Sequence, residues 1–246
     1  GDVEADDLLA DVTAAPAADL KRAGSGKSVK RRLTSVPVSA RSRRGGWSGK
    51  ALRLAGARKA EAPEGPFQPQ LARLGDHPPA GDQWVHEIKW DGYRILATVA
   101  DGEVRLWSRN ALDWTGKLPE IREAVAALGV SSAALDGELI AGGGTKEDFN
   151  LLQATLSGER QGALSYVLFD LLHLDGVDVT DAPLLQRKAL LQEVLADPPP
   201  HLALSSHIAG DGDAAYRLAG EQHFEGIISK RADRGYQAGR SEDWRK

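Results

Sequence analysis

The feature that most constrains the fold is an alternation of apolar and polar residues that recurs along the chain. Apolar residues alternate in QWVHEIK and in YRILATVA, and the pair Asp101-Gly102 separates the second stretch from EVRLWS. Such alternation is typical of strands with one buried face, and an Asp-Gly pair between two of them predicts a hairpin. The pattern therefore predicts antiparallel strands at the start of a folded region.

Helical spacing follows the hairpin and then alternates with further strands. LPEIREAVAAL carries its large apolar residues on one helical face, and helices are also predicted at EDFNLLQATL, PLLQRKALLQEVL and DAAYRLAGEQ. Strands are predicted at SAALDGELIA, LSYVLFDLLHL and EGIISKR, before a polar loop and a stop at DWRK. Strands joined by hairpins and interleaved with helices indicate an α+β fold with largely antiparallel sheets and flanking helices.

The first sixty residues differ from the rest in charge. Residues 1–20 carry six acids and no base, whereas residues 21–60 carry thirteen Lys or Arg and no acid. The basic stretch is rich in Gly, Ser and Ala, which is typical of a disordered linker. It is either a solvated tether or a segment that holds a polyanion through counterion release. We predict a flexible acidic-then-basic arm at residues 1–62 and a folded domain at residues 63–246.

Composition excludes several classes of protein. The chain has no Cys, which excludes disulfides, thiol nucleophiles and cysteine-ligated zinc. No apolar run is long enough to cross a bilayer, and the acidic N-terminus does not resemble a signal peptide. We expect a cytoplasmic protein with no membrane association. The absence of Met predicts a fragment whose natural start lies upstream.

Charged residues interrupt apolar strands beside a glycine at three places. KWDGYR places Lys89 and Arg94 on either side of such a glycine, LDGEL carries Glu138, and FEGIISK carries Glu225. Burying unpaired charge is costly, so these residues either form a shared ion-pair network or line a common cleft. The coincidence of three such sites favours the cleft.

Nucleotidyl transfer is the chemistry that needs this set of residues. A lysine amine attacks an α-phosphate once neighbouring cations, a metal or burial favour its neutral form. Mg²⁺ takes oxygen ligands such as those of Glu138 and Glu225, while Lys230 and Lys246 are candidates for contacting phosphate. The residues alone thus predict a phosphoryl-transfer site around Lys89.

KWDGYR, residues 89–94, resembles the signature of the covalent nucleotidyltransferases, which include ATP-dependent DNA ligases, RNA ligases and messenger RNA capping enzymes. Five further segments of that superfamily follow in order: SRNALDWT, LDGEL, YVLFDLL, EGIISKR and DWRK. The matches span residues 87–246, and EIKWDGYR with SRNALDWT is closest to the ligase component of bacterial end-joining ligase D. The resemblance implies the adenylation domain of an ATP-dependent DNA ligase, with the nucleotidyltransferase fold.

The resemblance implies a role for each matching residue in nucleotide binding. Lys89 would be adenylylated by ATP, Glu87 and the backbone of Ile88 would contact the adenine amino group, and Phe169 would stack on the base. Lys230 is assigned to the surface or to a supporting position behind the site.

Further residues are implied for phosphate and metal. Arg94 and Arg109 would contact the ribose and phosphates and later the 5′-phosphate of a nick. Glu138 would hold a ribose hydroxyl or the metal through water, and Glu225 would bind the metal, Mg²⁺ or Mn²⁺. Lys246 would neutralise the α-phosphate.

The resemblance also implies substrates and partners. Nicked or broken double-stranded DNA is the expected substrate in DNA repair, and the Ku end-binding protein and fused phosphoesterase or polymerase domains are candidate partners. The second lysine of the last motif and the OB-fold domain that follows it in the family are absent from this chain. Two alternatives stay open: an RNA ligase or capping-type enzyme, and a nucleotide- or DNA-binding fragment without sealing activity.

Overall fold

The computed structural model describes residues 46–246, which form two β-sheets flanked by helices. The strands are β1 (Arg58–Lys59), β2 (Gln70–Arg73), β3 (Trp84–Ile88), β4 (Tyr93–Ala100), β5 (Glu103–Ser108), β6 (Ala133–Ala141), β7 (Leu164–Leu174), β8 (Val177–Asp178), β9 (Leu202–Leu204), β10 (His207–Ala209), β11 (Ile227–Arg231) and β12 (Gly239–Arg245). The α-helices are α1 (Ser48–Ala51), α2 (Pro119–Ala127), α3 (Phe149–Leu156), α4 (Leu184–Val194) and α5 (Gly212–Glu221), and a 3-10 turn spans Thr115–Lys117.

The larger sheet has seven strands in the order β1-β8-β7-β6-β4-β5, with β9 paired to β7. All its pairs are antiparallel except β7–β9. The β4–β5 hairpin turns at Asp101 and Gly102, whose φ angles are 50° and 82°. The hairpin predicted from the alternation is therefore confirmed.

The smaller sheet has five strands in the order β10-β3-β11-β12-β2. Its pairs are antiparallel except β12–β2. The predicted α+β class with largely antiparallel sheets is confirmed. The sequence did not predict β12, which extends into the segment DWRK, where a stop was expected, because Trp244 is its only large apolar residue.

Two apolar clusters hold these layers together. The main cluster lies on the large sheet and includes Ile121 of α2 and Leu191 of α4, both fully buried. The second cluster joins Ile140 of the large sheet to Ile88 and Ile227 of the small sheet and to helix α5. This second cluster fixes the end of β3, and so the start of KWDGYR, against the large sheet. Among residues 46–246, no helix combines the length and the apolar character needed to cross a membrane.

The part of the predicted arm that the structure describes, residues 46–62, packs against the large sheet. Ala51 is fully buried, β1 pairs with β8, and Arg58 contacts Asp178 at 2.5 Å. Trp47, Ala51 and Leu54 are spaced for one helical face, a short signal that the surrounding basic residues obscured. Residues 46–62 therefore do not form the flexible tether predicted for them. Residues 1–45 lie outside the described residues.

Candidate active site

A cavity of about 250 Å³ opens between the two sheets. Eight of the nine site residues predicted from the sequence line it: Glu87, Ile88, Lys89, Arg94, Arg109, Glu138, Phe169 and Lys246. The two sheets thus bring together residues that are far apart in the chain, as the common-cleft interpretation requires.

The ninth predicted residue, Glu225, lines a neighbouring cavity of about 390 Å³. Lys89 and Lys246 line both cavities, so Lys89 lies where the two meet. The carboxylate of Glu225 forms an ion pair with the Nζ of Lys89. The two predicted metal ligands, Glu138 and Glu225, therefore line different cavities, and Lys89 is common to both.

The pairing of β3 with β11 places Glu225 beside Lys89. Ile88 lies opposite Ile227, and the backbone N–H of Lys89 donates to the carbonyl of Gly226 at 2.9 Å. Gly226 has a φ of 154°, a conformation that side chains other than glycine rarely adopt. The glycine after Glu225 therefore allows the bend that brings this carboxylate to the lysine.

Gly92 allows strands β4 and β6 to approach each other closely. A Cβ atom on Gly92 would lie 2.0 Å from the carbonyl oxygen of Leu139. Its backbone is outside the positive-φ region, so the close approach, and not a left-handed conformation, is the reason for this glycine. The close approach places Arg94 directly opposite Glu138 in the cavity wall.

Arg94 is held by a buried carboxylate of LDGEL, Asp136, to which the sequence assigned no role. Its Nε and Nη2 donate to Asp136 at 2.5 and 2.7 Å, and Nη2 also donates to the carbonyl of Gln70 at 3.1 Å. The hydroxyl of Tyr236 donates to the same carboxylate at 2.6 Å. Burial alone would lower the pKa of Arg94, but Asp136 outweighs it and raises that pKa. Arg94 therefore bridges both sheets and carries a fixed positive charge.

Lys230 forms part of the cavity wall, contrary to the surface position that the sequence allowed. The side chain is 2% exposed, and its Nζ lies 4.3 Å from the ring centroid of Phe169 and 4.2 Å from that of Trp244. Burial lowers the pKa of Lys230 to about 8. The guanidinium of Arg94 lies 4.7 Å from the Phe169 ring, so two cations contact the aromatic residue predicted to stack on a base.

Glu87 is ionised and fully enclosed. One carboxylate oxygen lies 3.0 Å from the Nζ of both Lys188 and Lys230, and the other accepts a hydrogen bond from the Ser205 hydroxyl at 3.0 Å. Burial alone would raise the pKa of Glu87, but the two lysines outweigh it and hold that pKa below its usual value. Glu87 therefore faces the cavity as a hydrogen-bond acceptor.

Lys188 is a second residue that the sequence analysis did not single out. It lies on α4, four residues after Leu184 and three before Leu191, and all three are buried. A lysine at a position where helical spacing predicts an apolar residue is the signal that would have found it.

The pKa values of two carboxyl groups near Lys89 are raised above their usual range. Burial raises the pKa of Glu138 to about 8, and Asp136 adds to this effect while Arg94 opposes it. Burial and the nearby Glu225 also raise the pKa of Asp91. A raised pKa favours the neutral acid, so these carboxyl groups ionise readily only when a cation lies beside them.

The donor set fits a hard divalent cation with few protein ligands. Glu138 and Glu225 offer carboxylate oxygens, and no group of three or more His, Asp or Glu within residues 46–246 is arranged to hold a metal. Mg²⁺ usually keeps several waters and binds through one or two carboxylates and the phosphates of a substrate. The residues present therefore fit Mg²⁺ or Mn²⁺ that arrives with a nucleotide.

Two mainly antiparallel sheets with a cationic cavity between them define the fold of a nucleotidyltransferase domain, and solved DNA ligase domains share it. The chain belongs to the ATP-dependent DNA ligase family, because the family model described as the ATP dependent DNA ligase domain matches residues 69–246. Residues 69–246 are thus the adenylation domain of an ATP-dependent DNA ligase. The family resemblance inferred from the six motifs is confirmed.

The relatives include ligase D proteins. The multifunctional non-homologous end joining protein LigD of Pseudomonas aeruginosa is 40% identical over 179 residues, which are 72% of this chain and 21% of that protein. A probable DNA ligase of Beutenbergia cavernae is 32% identical over 253 residues, covering 95% of this chain and 47% of that protein. A mycobacterial DNA ligase D solved with ATP and MES is 32% identical with a TM-score of 0.62, over 73% of this chain and 59% of that chain. The chain spans less than two thirds of the length of each of these relatives.

Proposed function

We propose that this chain reacts with ATP to form a lysyl adenylate on Lys89, transfers the AMP to a DNA 5′-phosphate, and supports phosphodiester formation at nicks or double-strand breaks. The observation that carries the proposal is the position of the Lys89 amine. It lies at the junction of two cavities, in contact with Glu225, in a domain whose family is ATP-dependent.

In the first step the neutral Lys89 amine attacks the α-phosphorus of ATP. The new N–P bond forms as the P–O bond to pyrophosphate breaks, and the amine gives one proton to water as it becomes the phosphoramidate. In the second step a DNA 5′-phosphate oxygen displaces the lysine, and in the third a 3′-hydroxyl displaces AMP. Each step is phosphoryl transfer, so positioning and charge stabilisation are the main contributions of the protein.

The chain's own residues divide this work. Glu225 orients the Lys89 amine through their ion pair. Arg94, Arg109 and Lys246 present positive charge to the phosphates, and Arg109 is available because it pairs with no carboxylate of residues 46–246. Arg94 keeps its charge because its ion pair with Asp136 offsets the unfavourable free energy of burying that charge.

The base and the metal are assigned to other residues. Ionised Glu87 accepts a hydrogen bond from the adenine amino group, and the backbone of Ile88 also contacts that group. Phe169 supplies the surface on which the base stacks. Glu138 and Glu225 would hold Mg²⁺ or Mn²⁺, which when bound supplies positive charge to the developing phosphate oxyanions.

The DNA substrate and the repair setting follow from the family and from relatives named for non-homologous end joining. Of the thirteen basic residues between 21 and 60, nine lie in residues 21–44, outside the described part of the chain. We assign them to DNA contact through counterion release. Ku and fused phosphoesterase or polymerase domains are the proposed partners, and the nucleoid of the cytoplasm is the proposed location.

Covalent labelling tests the proposal. The chain is incubated with Mg²⁺ and ATP labelled at the α-phosphate, then denatured. Label should stay on the wild-type chain and be absent from Lys89→Ala, while Lys117→Ala, which removes an exposed lysine packed on Trp114, should label normally. Labelling by GTP in place of ATP would support a capping-type enzyme. Absence of label from either nucleotide, also when a ligase OB-fold domain is joined after Lys246, would support a binding fragment.

A further inference from the structure

A buried cluster of charge lies behind the base-contacting part of the cavity. Lys188 and Lys230 both contact Glu87 at 3.0 Å, and the Ser205 hydroxyl donates to the other oxygen of the same carboxylate at 3.0 Å. The Nζ of Lys188 also donates to the carbonyl of Ser205 at 2.9 Å. The Trp90 indole N–H donates to the Ser205 hydroxyl at 3.2 Å, so the cluster continues into the cavity wall.

Lys188 reaches this cluster from outside the cavity. It lies on α4, is 4% exposed, and is not among the residues that line the cavity, whereas Glu87 and Lys230 are. Two lysines therefore enclose one carboxylate, and all three side chains are almost fully buried. Such a group is costly to bury, and stability alone is usually served as well by apolar side chains. The free-energy cost of burying these charges is explained if ligand binding requires Glu87 in one fixed orientation.

We infer that Lys188 is a positioning residue that holds Glu87 as a fixed acceptor and thereby makes the cavity prefer a purine nucleotide with a 6-amino group over one with a 6-oxo group. The inference rests on the proposed function, because the same cavity must bind the nucleotide.

The chemistry of the two bases gives the discrimination. A carboxylate has no proton to donate, so it pairs with the amino group of adenine and is repelled by the carbonyl oxygen of guanine. Lys188 and Ser205 hold the carboxylate from the α4 side, and Lys230 holds it from the side of Phe169 and Trp244. Without Lys188, Lys230 alone pulls on the shared oxygen and Glu87 protonates more easily. A protonated or rotated carboxyl group no longer rejects guanine.

The test compares the affinities of the chain for ATP and GTP by titration calorimetry without Mg²⁺, so that the adenylylation step does not contribute to the heat. Wild type should bind ATP more tightly than GTP, and Lys188→Met should lower this preference by about tenfold, the usual effect of losing a hydrogen bond to a charged group. Lys188→Arg, which keeps the charge and the donor, should recover most of the preference. Val194→Ala is the matched control, because it removes buried apolar volume from the same helix without contacting Glu87.

A second variant covers the case in which Lys188→Met does not fold. Ser205→Ala removes the hydrogen bond to the other Glu87 oxygen and should lower the preference by about threefold, since that bond is one of the three contacts that hold the carboxylate. Wild-type preference in folded Lys188→Met, or in Ser205→Ala where Lys188→Met does not fold, would overturn the inference. An equal loss in Val194→Ala would also overturn it. A wild-type chain that binds neither nucleotide would instead overturn the proposed function.

Discussion

Glu225→Gln separates a metal-binding role of this carboxylate from a structural one. The side chains of Lys89 and Glu225 are 24% and 42% exposed, so their ion pair is partly solvated. Pairs of this kind stabilise a protein by no more than about 1 kcal/mol. For a domain of about 200 residues that corresponds to a fall in Tm of at most about 4 °C. The substitution keeps the shape of the side chain and should leave the fold intact.

The same substitution should strongly reduce self-adenylylation. A neutral amide is a poor ligand for a hard divalent cation and no longer orients the Lys89 amine, so the rate should fall by at least about 100-fold. The rate of label incorporation is measured across a Mg²⁺ titration, alongside a thermal melt. Glu242→Gln is the matched control, since Glu242 is an exposed acid that pairs with Arg73 at 3.0 Å and lines neither cavity. A rate within threefold of wild type, or a fall in Tm above about 10 °C with unchanged metal dependence, would refute the reasoning.

Two further predictions concern the backbone and the charge of the cavity. Gly92→Ala should lower Tm by at least about 10 °C in a thermal melt, because its Cβ would lie 2.0 Å from the Leu139 carbonyl, while Gly116→Ala, with no atom within 4 Å of its Cβ, should change little. An equal Tm for the two variants would contradict the close-approach argument. Burial lowers the pKa of Lys230 to about 8, so ATP binding without Mg²⁺ at pH 8 should take up protons, because the phosphates favour the charged amine. Calorimetry in buffers of different ionisation enthalpy measures this uptake, which should be smaller in Lys230→Met; an equal uptake in wild type and Lys230→Met at pH 8 would contradict the assignment.

Periodicity was enough to predict the long strands and most helices. The strands of SAALDGELIA and LSYVLFDLLHL are mainly apolar, and both elements occur where predicted. Strands β2 and β12 were missed because their pairing joins residues 70 and 239, and neither strand has enough apolar residues to be recognised alone. Tertiary pairing, which a local pattern does not contain, decides their state.

Some site residues were identified by a sequence motif, whereas the roles of others depend on tertiary contacts. Ordered motifs located the cavity residues, and strand pairing then brought Glu225 to Lys89 although they are 136 residues apart. Lys230 was assigned to the surface or a supporting position because lysine is rarely buried without a partner, and its partner Glu87 lies on another strand. Asp136 was noted only as an acid in LDGEL and Lys188 was not noted at all, since their roles depend on which side chains they meet.

Mapping the site of covalent modification shows whether Lys89 is the nucleophile that attacks ATP. The chain is incubated with ATP and Mg²⁺, digested, and its peptides are mapped by mass spectrometry. We expect one added adenylate on the peptide that contains Lys89, with the modification assigned to that lysine and absent from Lys89→Ala. An adenylate on Lys230 or Lys246, with Lys89 unmodified, would contradict this assignment.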